Sequence, residues 1–529
     1  AASFAPLGWW PAAVPATALV VLATRGRGWR GGLLVGFAAG VAEFIPVLWW
    51  LHVVTPAAWI ALAIVEAAYL AALGAGLAVI VGRVPGWPLW SACLWVAEEL
   101  VRDRWPLGGF SWGRLAFSQP NTPFTGYAAL GGAALVTFAV ALSAGLLAAT
   151  VLAVVRRTRG EASLDGATLD DATLDTATPD GGTRDNHPHR HEPRTRPWLA
   201  AIPTAVVGAA AVLVVPLLGT LVPRPTDGPT VQLALVQGNV PQPGTHFLGR
   251  AEQVLDNHVA ETAVLAAQVN NGTLPRPELV LWPENASDVD PFTSPDAYAK
   301  IQQAAAGIGV PILVGAVLQA GPDNVSNTAI VWDPVTGPGQ RYTKRHLVPF
   351  GEYIPWRGLI DHLTSLTSLV PQNFVPGHSP GVLQVGPVTL ADVMCFEVAF
   401  DEQVRDGVTH GGQLIVVQTN NATYLHTPET HQQLAMSQLR AVEHGRSVVV
   451  ASTSGISAVI APDGRVLAQS GELTTAIIDR AVVTRDSLTV ADHLGAWPEW
   501  VIAILGVFAV VAGAAASAVR RRFRKDVAA

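Results

Sequence analysis

Seven apolar stretches constrain this chain more than any other feature, because each is close to the length that a lipid bilayer requires. They cover residues 7–24, 32–53, 56–82, 87–101, 124–155, 197–222 and 498–519. A helix needs about 20 apolar residues to cross the hydrocarbon core. The fourth stretch is short and carries Glu98 and Glu99 near its end. Any one stretch could be a buried core helix, but the set predicts a membrane α-helical bundle.

The composition agrees with a membrane protein that also has a water-exposed part. Half of the 529 residues are hydrophobic and only 14% are charged, which is too apolar for an ordinary soluble protein. The 17 Trp residues fit aromatic anchors at a membrane surface. A net charge of −7 gives no reason to expect a nucleic-acid partner.

Arginine clusters near the ends of the stretches predict the orientation of the chain. They lie at 25–30, 83, 156–159 and 520–525. If every stretch crosses, the clusters share one side, which the positive-inside rule assigns to the cytoplasm. Residues 223–497 then form an extracytoplasmic domain, and 520–529 a basic cytoplasmic tail. Arg102, Arg104 and Arg114 conflict with this assignment, because they fall on the outer side.

Residues 160–196 separate the N-terminal helices (1–159) from the membrane helix at 197–222 and differ from both in composition. The segment repeats ATLD units and has no aromatic residue, so it cannot bury enough apolar surface to fold alone. We predict a disordered cytoplasmic loop. His187, His189 and His191 could bind a metal weakly, but a solvated, composition-biased tract is the favoured interpretation, and we predict no metal site.

The extracytoplasmic domain alternates strand-like and helical patterns. The strand-like runs are β-branched and continuously apolar, which is typical of strands covered on both faces. They lie at 231–237, 278–283, 311–317, 327–332, 388–395, 413–419, 446–452 and 457–462. Helical patterns lie at about 249–270, 296–307 and 428–444. The segment therefore predicts a single α/β domain, followed by a last membrane helix at 498–519.

Three polar residues stand where predicted strands or their loops end: Glu284, Lys344 and Cys395. Ligands of α/β sheets tend to bind outside the carboxyl ends of the strands. If the three meet there, Glu284 could accept the thiol proton, Lys344 could favour the thiolate and hold an oxyanion, and Cys395 could attack a carbonyl. The alternatives are a solvated strand end, a surface lysine and a buried, inert cysteine, and the spacing alone leaves them open.

The motifs around these residues resemble the nitrilase superfamily, with its Glu–Lys–Cys triad. They read LWPEN, YTKRHLVPFGEYIP and MCFE. Together with the apolar stretches, they resemble the membrane-bound apolipoprotein N-acyltransferase family over nearly the whole chain. A further segment, 94–119, is similar to that family's membrane-domain signature through these positions: Trp95, Glu99, Arg102, Gly109, Phe110, Trp112, Ser118 and Gln119.

The resemblance implies roles for several residues. Glu284 matches the general base, Lys344 the lysine and Cys395 the nucleophile, while Glu352 and Glu397 match supporting glutamates. Without the family, a loop charge and a solvated carboxylate would be the simpler interpretations of the last two. The candidate substrate-binding residues are Phe396, which replaces the family's usual Tyr, then His246 or Phe247, one of which replaces a family Trp, and Trp112.

The resemblance also implies a fold, a reaction and a location. The fold is a membrane helical bundle plus a nitrilase-like α-β-β-α sandwich. The reaction moves a fatty acyl chain from a phospholipid, through a cysteine thioester and without a cofactor, to the N-terminal amine of a diacylglyceryl-modified apolipoprotein. The location is the bacterial cell membrane, multi-pass. The family typically has eight membrane helices, so we expect an N-terminal helix to be missing from the seven counted here.

Two other functions use the same chain differently. A membrane-tethered nitrilase-type amidohydrolase would use the triad on a small amide, although a tether needs no motif like 94–119. A non-catalytic scaffold would not need an intact triad. In some actinobacteria the family is linked to a polyprenol-phosphate mannosyltransferase, which is a candidate partner.

We further expect the loops 340–380 to form a lid, with 359–374 contacting the membrane or an acyl chain rather than packing as an amphipathic helix.

Overall fold

The computed structural model of the protein describes residues 1–170, 197–240, 251–362, 364–424 and 426–528. Its helices are α1 Ala13–Thr24, α2 Trp29–Val47, α3 Pro56–Ile80, α4 Trp87–Arg102, α5 Ala128–Asp170, α6 Pro197–Thr220, α7 Ala251–Asn270, α8 Pro295–Ile308, α9 Arg357–Ile360, α10 Asp401–Thr409, α11 Glu429–His444, α12 Val490–Leu494 and α13 Trp497–Ala528. The first six and α13 form the helical bundle, and α7 to α12 belong to the α/β domain.

Five helices of the described chain are long and apolar enough to cross a membrane. They lie at Trp29–Val47, Pro56–Ile80, Thr125–Thr158, Ala201–Thr220 and Trp497–Val519. The other two predicted spans are shorter helices: α1 has 12 residues and α4 has 16. Helix α5 continues to Asp170, so it enters the segment predicted to be disordered at 160–196. Residues 171–196, including the three histidines, lie outside the described residues.

The bundle is held together by close backbone contacts as well as by side chains. A Cβ atom on Gly36 of α2 would lie 2.0 Å from the Leu70 carbonyl oxygen of α3. A Cβ atom on Gly506 of α13 would lie 2.6 Å from the Cys93 carbonyl carbon of α4. Small residues permit such approaches between membrane helices. The last helix therefore returns to the same bundle that the N-terminal helices form.

The arginines that conflicted with the predicted orientation all form ion pairs, and two of them, Arg102 and Arg114, are buried. Arg102 Nε donates to Glu98 at 3.0 Å, and Arg102 Nη1 lies 3.4 Å from Glu66. Arg114 lies 3.2 Å from Asp103, and Arg104 pairs with Glu499. The positive-inside rule counts charges in loops that stay on one side of the membrane during insertion. Paired arginines inside the folded junction stabilise that junction, so they are weak evidence about orientation.

The α/β domain contains two stacked sheets. Its strands are β1 Thr230–Gln237, β2 Leu279–Leu281, β3 Ile312–Gln319, β4 Asn324–Asp333, β5 Gly337–Thr343, β6 Asn373–Phe374, β7 Val382–Val385, β8 Val388–Met394, β9 Leu414–Thr419, β10 Val448–Ser452, β11 Ala458–Ile460, β12 Val466–Gln469 and β13 Ala476–Val483. A seven-stranded sheet has the order β13-β1-β2-β3-β4-β5, with β6 beside β4, and a six-stranded sheet has the order β12-β11-β10-β9-β8-β7.

The layers confirm the predicted α-β-β-α sandwich. Leu233 and Leu281 of one sheet and Leu390 and Val416 of the other share a single buried apolar cluster between the sheets. Helices α7 and α8 pack on the outer face of the first sheet, with β1 and β4 beneath them. Helices α10 and α11 cover the second sheet and belong to the same apolar cluster as the membrane bundle. The second sheet therefore faces the membrane helices through α10 and α11.

The sequence analysis did not predict five of the strands, for two physical reasons. Strand β5, GPGQRYT, is polar and at a sheet edge, with several exposed residues, so it lacks the apolar run of a covered strand. Strands β6, β7 and β12 have four residues or fewer, and β13 is only half-buried beside β1. The eight predicted strands and three predicted helices are all present, with ends that differ by a few residues.

Candidate active site

Glu284 stands three residues after β2, with its carboxylate buried between the two sheets' carboxyl ends. Its Oε1 accepts hydrogen bonds from Asn327 Nδ2 at 2.6 Å and from Lys344 Nζ at 3.1 Å. Its Oε2 accepts from the backbone N–H of Asn420 at 2.9 Å. Burial raises the pKa of Glu284, and the charge of Lys344 partly offsets that rise. The carboxylate is therefore fixed in place and is a stronger base than a solvated one.

Lys344 directly follows β5, the strand that the sequence prediction missed. Its backbone N–H donates to the Asn327 carbonyl at 2.9 Å, which continues the pairing of β4 with β5. Its ammonium lies 3.1 Å from Glu284 and 2.9 Å from Glu352, and its side chain is 2% exposed. Although burial acts in the opposite direction, the carboxylates of Glu284 and Glu352 raise the pKa of Lys344 well above its usual range. The lysine is a fixed positive charge at the centre of the site.

Cys395 is the first residue after β8, rather than the last residue of the strand as predicted. Its φ of 51° is unusual for a non-glycine residue, and such strain is typical of functional turns. Gln433 Nε2 of α11 lies 3.6 Å from Sγ. Burial, followed by the negative charge of Glu284, raises the pKa of the Cys395 thiol to about 12, although Lys344 lowers it. The resting side chain of Cys395 is thus a thiol. Burial and the charge of Glu284 disfavour the thiolate more than Lys344 stabilises it.

The two supporting glutamates are structural anchors of the loop that carries Lys344. Glu352 accepts from Lys344 Nζ with one oxygen and from the backbone N–H of Val348 at 2.8 Å with the other. Glu397 is fully buried, which excludes the solvated carboxylate considered for it. It accepts from the backbone N–H groups of Arg345, His346 and Met394 and from the Tyr342 hydroxyl, all at 2.8–2.9 Å. Glu397 therefore ties the loop of Lys344 to the turn of Cys395.

Aromatic side chains from both parts of the protein meet beside the cysteine. The ring of Phe396 lies 6.1 Å from Trp112 in a stacked arrangement and 5.7 Å from Phe110. Trp50 lies 5.3 Å from Trp112 and 5.0 Å from Tyr424. Two of the candidate substrate-binding residues, Phe396 and Trp112, thus form one apolar wall. The other two, His246 and Phe247, lie outside the described residues.

The signature at 94–119 forms the junction between the membrane helices and the α/β domain. Inside the signature, Glu99 accepts from the backbone N–H of Leu115, and Arg102 donates to the Trp112 carbonyl at 2.7 Å. Glu99 also accepts from the Thr137 hydroxyl of α5. From this loop, Trp112 Nε1 donates to Gln432 Oε1 of α11 at 2.6 Å. The buried polar residues of the signature therefore position Trp112 against the site.

Sequence reasoning missed several polar residues that contact the triad or its anchors. They are Asn327, Tyr342, Asn420, Gln433 and Glu429, the last of which is linked to Gln433 through Asn421. Tyr342 is the first residue of the motif YTKRHLVPFGEYIP, whereas the other four stand outside the quoted motifs. For those four, the available signal was a polar residue beside an apolar run, such as Asn327 at the start of NTAIVW in β4. Within the described ranges, no three His, Cys, Asp or Glu side chains are grouped to hold a metal.

The site combines a buried carboxylate, a buried ammonium and a thiol, which stand after β2, β5 and β8. The α/β domain that carries them packs against a helical membrane bundle. These features define a nitrilase-type domain in a membrane protein. Residues 1–146 match the apolipoprotein N-acyltransferase N-terminal domain, and residues 232–487 match the carbon-nitrogen hydrolase family. An apolipoprotein N-acyltransferase of Mycolicibacterium smegmatis is 40% identical over 96% of this chain and 82% of its own length. The chain belongs to the apolipoprotein N-acyltransferase family.

Two further matches are more distant in sequence. An apolipoprotein N-acyltransferase of Vibrio parahaemolyticus is 25% identical over 94% of this chain and 91% of its own length. The crystal structure of an amidase from Nesterenkonia sp. is 23% identical, covers 49% of this chain and 92% of its own, and superposes with a TM-score of 0.36.

Proposed function

We propose that this protein transfers a fatty acyl chain from a phospholipid to the N-terminal amine of a diacylglyceryl-modified apolipoprotein, through a thioester on Cys395. The observation that carries the proposal is the placement of Glu284, Lys344 and the Cys395 thiol beside an aromatic wall built partly by the membrane-domain signature. A soluble amidase site would not need Trp112 from a membrane loop.

The first half-reaction acylates the cysteine. Glu284 accepts the Sγ proton as Sγ attacks the ester carbonyl carbon, because the thiol, with its pKa of about 12, needs a base. Lys344 stabilises the negative charge that develops on the carbonyl oxygen. The carbon–oxygen bond to the glycerol then breaks, and the leaving oxygen takes the proton from Glu284. The products are a lysophospholipid and the acyl-Cys395 thioester.

The second half-reaction uses the same groups in the opposite direction. The neutral amine of the apolipoprotein attacks the thioester carbonyl and forms an amide, Glu284 accepts the proton that the nitrogen loses, and Cys395 Sγ leaves and is reprotonated. Water competes with the amine for the thioester, so shielding of the site favours transfer over hydrolysis. The half-buried position of Cys395 beside Phe396 supports such shielding.

Both substrates are anchored in a bilayer, and the surface near the site is suited to contact one. Each buried CH₂ contributes roughly 0.8 kcal/mol to membrane anchoring, so extraction into water is costly. The loop after Lys344 exposes Phe350, Trp356, Leu359, Leu366 and Leu369. The alternative of an amphipathic helix over 359–374 is wrong. The described residues of this segment form the end of α9, one further helical turn and β6. Leu363 lies outside the described residues.

The proposed arrangement in the cell is a multi-pass membrane protein with residues 223–497 on the extracytoplasmic face of the bacterial membrane. The basic residues near the end of α13, at 520–525, and those between α1 and α2 support this orientation. A partnership with a polyprenol-phosphate mannosyltransferase also stays a prediction, and co-purification from native membranes would test it.

The test of the function is a transfer assay on the purified protein in phospholipid nanodiscs with a diacylglyceryl lipopeptide as acceptor. We expect an N-acylated lipopeptide and one lysophospholipid per transfer, and neither product with Cys395→Ala. Release of free fatty acid without N-acylated lipopeptide would favour the membrane-tethered hydrolase. An unmodified small amide, such as acetamide, serves as the control substrate and should not be turned over.

A further inference from the structure

Gln433, one turn into α11, directs its side-chain amide at the sulfur of Cys395, and no step of the proposed reaction uses it. Its Nε2 donates a hydrogen bond to Sγ at 3.6 Å. The side chain is buried, although glutamine is usually found on protein surfaces. Buried polar groups are paired with few exceptions, so the partners of this amide determine its orientation.

Two donors fix which end of the Gln433 amide faces the sulfur. Gln433 Oε1 accepts from Thr419 Oγ1, at the end of β9, at 2.9 Å and from Asn421 Nδ2 at 3.0 Å. An amide oxygen can accept both hydrogen bonds, whereas an amide nitrogen accepts none. The nitrogen is therefore the end that faces Cys395, and it meets the sulfur as a donor.

Asn421 is oriented in turn by groups whose roles cannot be reversed. Its Nδ2 also donates to the Glu429 carboxylate at 2.8 Å, and its Oδ1 accepts from Ser452 Oγ at 2.9 Å. The backbone N–H of Gly455 donates to the same Ser452 oxygen at 2.8 Å, which leaves the hydroxyl proton for Asn421. A backbone N–H only donates and a carboxylate accepts, so this chain of hydrogen bonds has one direction, towards Sγ.

The ammonium of Lys344 is engaged elsewhere. It lies 3.1 Å from Glu284 and 2.9 Å from Glu352, so two of its three protons face carboxylates. The third remains for the carbonyl oxygen of the substrate. Burial, followed by the charge of Glu284, raises the pKa of the Cys395 thiol more than Lys344 lowers it, so a thiolate is poorly stabilised here. A separate donor at Sγ therefore meets a need that the lysine does not.

We propose that Gln433 is a further catalytic residue, whose amide N–H stabilises the negative charge that develops on Sγ in both half-reactions. In the first, the Sγ proton moves to Glu284 while the sulfur–carbon bond forms. In the second, that bond breaks, its electron pair returns to Sγ, and Glu284 returns a proton to the sulfur. Gln433 keeps its own proton throughout. The inference rests on the proposed function, because both steps belong to acyl transfer.

The hydrogen bond from Gln433 should matter more in the transition states than in the states between them. Neutral sulfur, in a thiol or a thioester, is a weak acceptor. Hydrogen bonds to ionised groups are roughly twice as strong as those between neutral groups, so this one strengthens as charge develops. An interaction that is stronger in the transition state accelerates the reaction without tightening substrate binding. Loss of the donor should therefore lower kcat and leave KM for phospholipid nearly unchanged.

The test measures the thiolate without acyl transfer, as the rate at which iodoacetamide alkylates Cys395 in the purified protein at fixed pH. Peptide mass spectrometry distinguishes Cys395 from Cys93. Gln433→Met removes the donor at nearly constant length. Gln438→Met is the matched control, because Gln438 lies on the same helix and donates to the Gly464 carbonyl at 2.9 Å instead.

We expect Gln433→Met to slow the alkylation of Cys395 and Gln438→Met to leave it unchanged. A donor that lowers the thiol pKa by one unit raises the thiolate fraction about tenfold, and the greater nucleophilicity of a more basic thiolate offsets part of its loss. The expected slowing is therefore roughly 3- to 10-fold. Gln433→Asn withdraws the same amide by one methylene, so it serves as a second variant with the same expected direction.

The Cys395→selenocysteine protein separates charge stabilisation from packing. A selenol is a stronger acid than a thiol and depends less on a donor, so adding Gln433→Met should slow its alkylation much less. Altered packing would slow both proteins equally. Alkylation of Cys395 in Gln433→Met at the parent rate or faster, equal slowing in Gln438→Met, or equal slowing with sulfur and selenium would overturn the role of Gln433. None of these results bears on acyl transfer, which the lipopeptide assay on the parent protein decides separately.

Discussion

Arg114, in the loop after α4, donates two hydrogen bonds from Nη1 to the Asp401 carboxylate at the start of α10, at 2.9 and 3.0 Å. This contact joins residues 287 positions apart in the sequence and links the membrane-domain signature to the α/β domain. Arg440 of α11 lies 2.7 Å from the same carboxylate. Although burial raises the pKa of Asp401, the two guanidinium groups hold it well below its usual range. The junction therefore contains a charged carboxylate between two arginines.

Asp401→Asn should destabilise the protein, because it leaves two buried guanidinium groups without their shared anion. Breaking one partner of a buried ion pair costs about 3–5 kcal/mol. The measurement is thermal unfolding in detergent, with Asp463→Asn as the control. Asp463 pairs with Arg465, whose side chain is 65% exposed, so that change should shift stability by only about 0.5 kcal/mol. Equal melting temperatures for the two variants would contradict this account of the junction.

The pKa of Asp401 also predicts how the junction responds to acid. A group whose pKa is lowered by folding contributes stability above its unfolded pKa, near 3.9, and loses that contribution as the pH falls through the lower folded value. The stability difference between the protein and Asp401→Asn should therefore persist at mildly acidic pH and shrink only in strong acid. Melting temperatures of both proteins across this range would show it, and a difference that vanishes above the usual Asp pKa would argue against it.

Glu397→Gln should slow acylation by roughly 10- to 100-fold, because an amide cannot accept all the hydrogen bonds that hold the Lys344 loop, and small displacements are costly in catalysis. Tyr342→Phe removes one donor to Glu397 and keeps the backbone donors, so its effect should be smaller. Single-turnover formation of the acyl-enzyme measures both. If Glu397 only stabilised the fold, both variants would lower the melting temperature, and their rates of acyl-enzyme formation would be equal.

The pH dependence of acylation should reflect the buried base. Because Glu284 must be ionised to accept the thiol proton, and burial raises its pKa above 4.5, the rate should fall with decreasing pH at a midpoint above 4.5. Asn327→Ala removes a hydrogen bond that lowers the pKa, so the midpoint should move to still higher pH. A midpoint at or below 4.5, or one unmoved by Asn327→Ala, would argue against Glu284 as the base.

Phe396 should act through its ring. Phe396→Ala removes the contacts with Trp112 and Phe110 and should reduce acylation and stability, since truncating a buried Phe costs about 3–5 kcal/mol. Phe396→Tyr keeps the ring and restores the residue common in the family, so it should retain most activity. Comparing kcat and KM for phospholipid in both variants, with melting temperatures alongside, tests this role. Loss of activity in Phe396→Tyr at unchanged stability would show that the ring alone is not sufficient.

How much the sequence could predict depended on whether a feature was local. The apolar runs of β1, β3 and β9 and the motifs around Glu284, Lys344 and Cys395 are contiguous, so the sheet core and the candidate triad could be proposed directly. The edge strand β5 could not, because its GPGQRYT sequence has no apolar face to bury. Lys344 directly follows that strand, so the sequence analysis had no predicted strand from which to position the lysine.

Contacts between residues that are distant in the sequence could not be predicted. Nothing around Asn327, Gln433 or Asp401 predicts its partner, because each contact depends on how the sheets and helices pack. The buried arginines of the signature likewise suggested an orientation conflict until their acidic partners were placed. Desolvation is also a property of the fold, which is why the high pKa of the Cys395 thiol, about 12, was not anticipated.

The most direct test of the central claim is the intact mass of the purified protein after incubation with phospholipid in the absence of acceptor. The account predicts one added fatty acyl group, located on Cys395, removed by neutral hydroxylamine or by a diacylglyceryl lipopeptide, and absent from Cys395→Ala. Glu284→Gln should form the adduct far more slowly in a sample whose cooperative melting transition shows that it is folded. An unmodified mass in a folded, lipid-bound sample, or an adduct that persists in Cys395→Ala, would contradict the account.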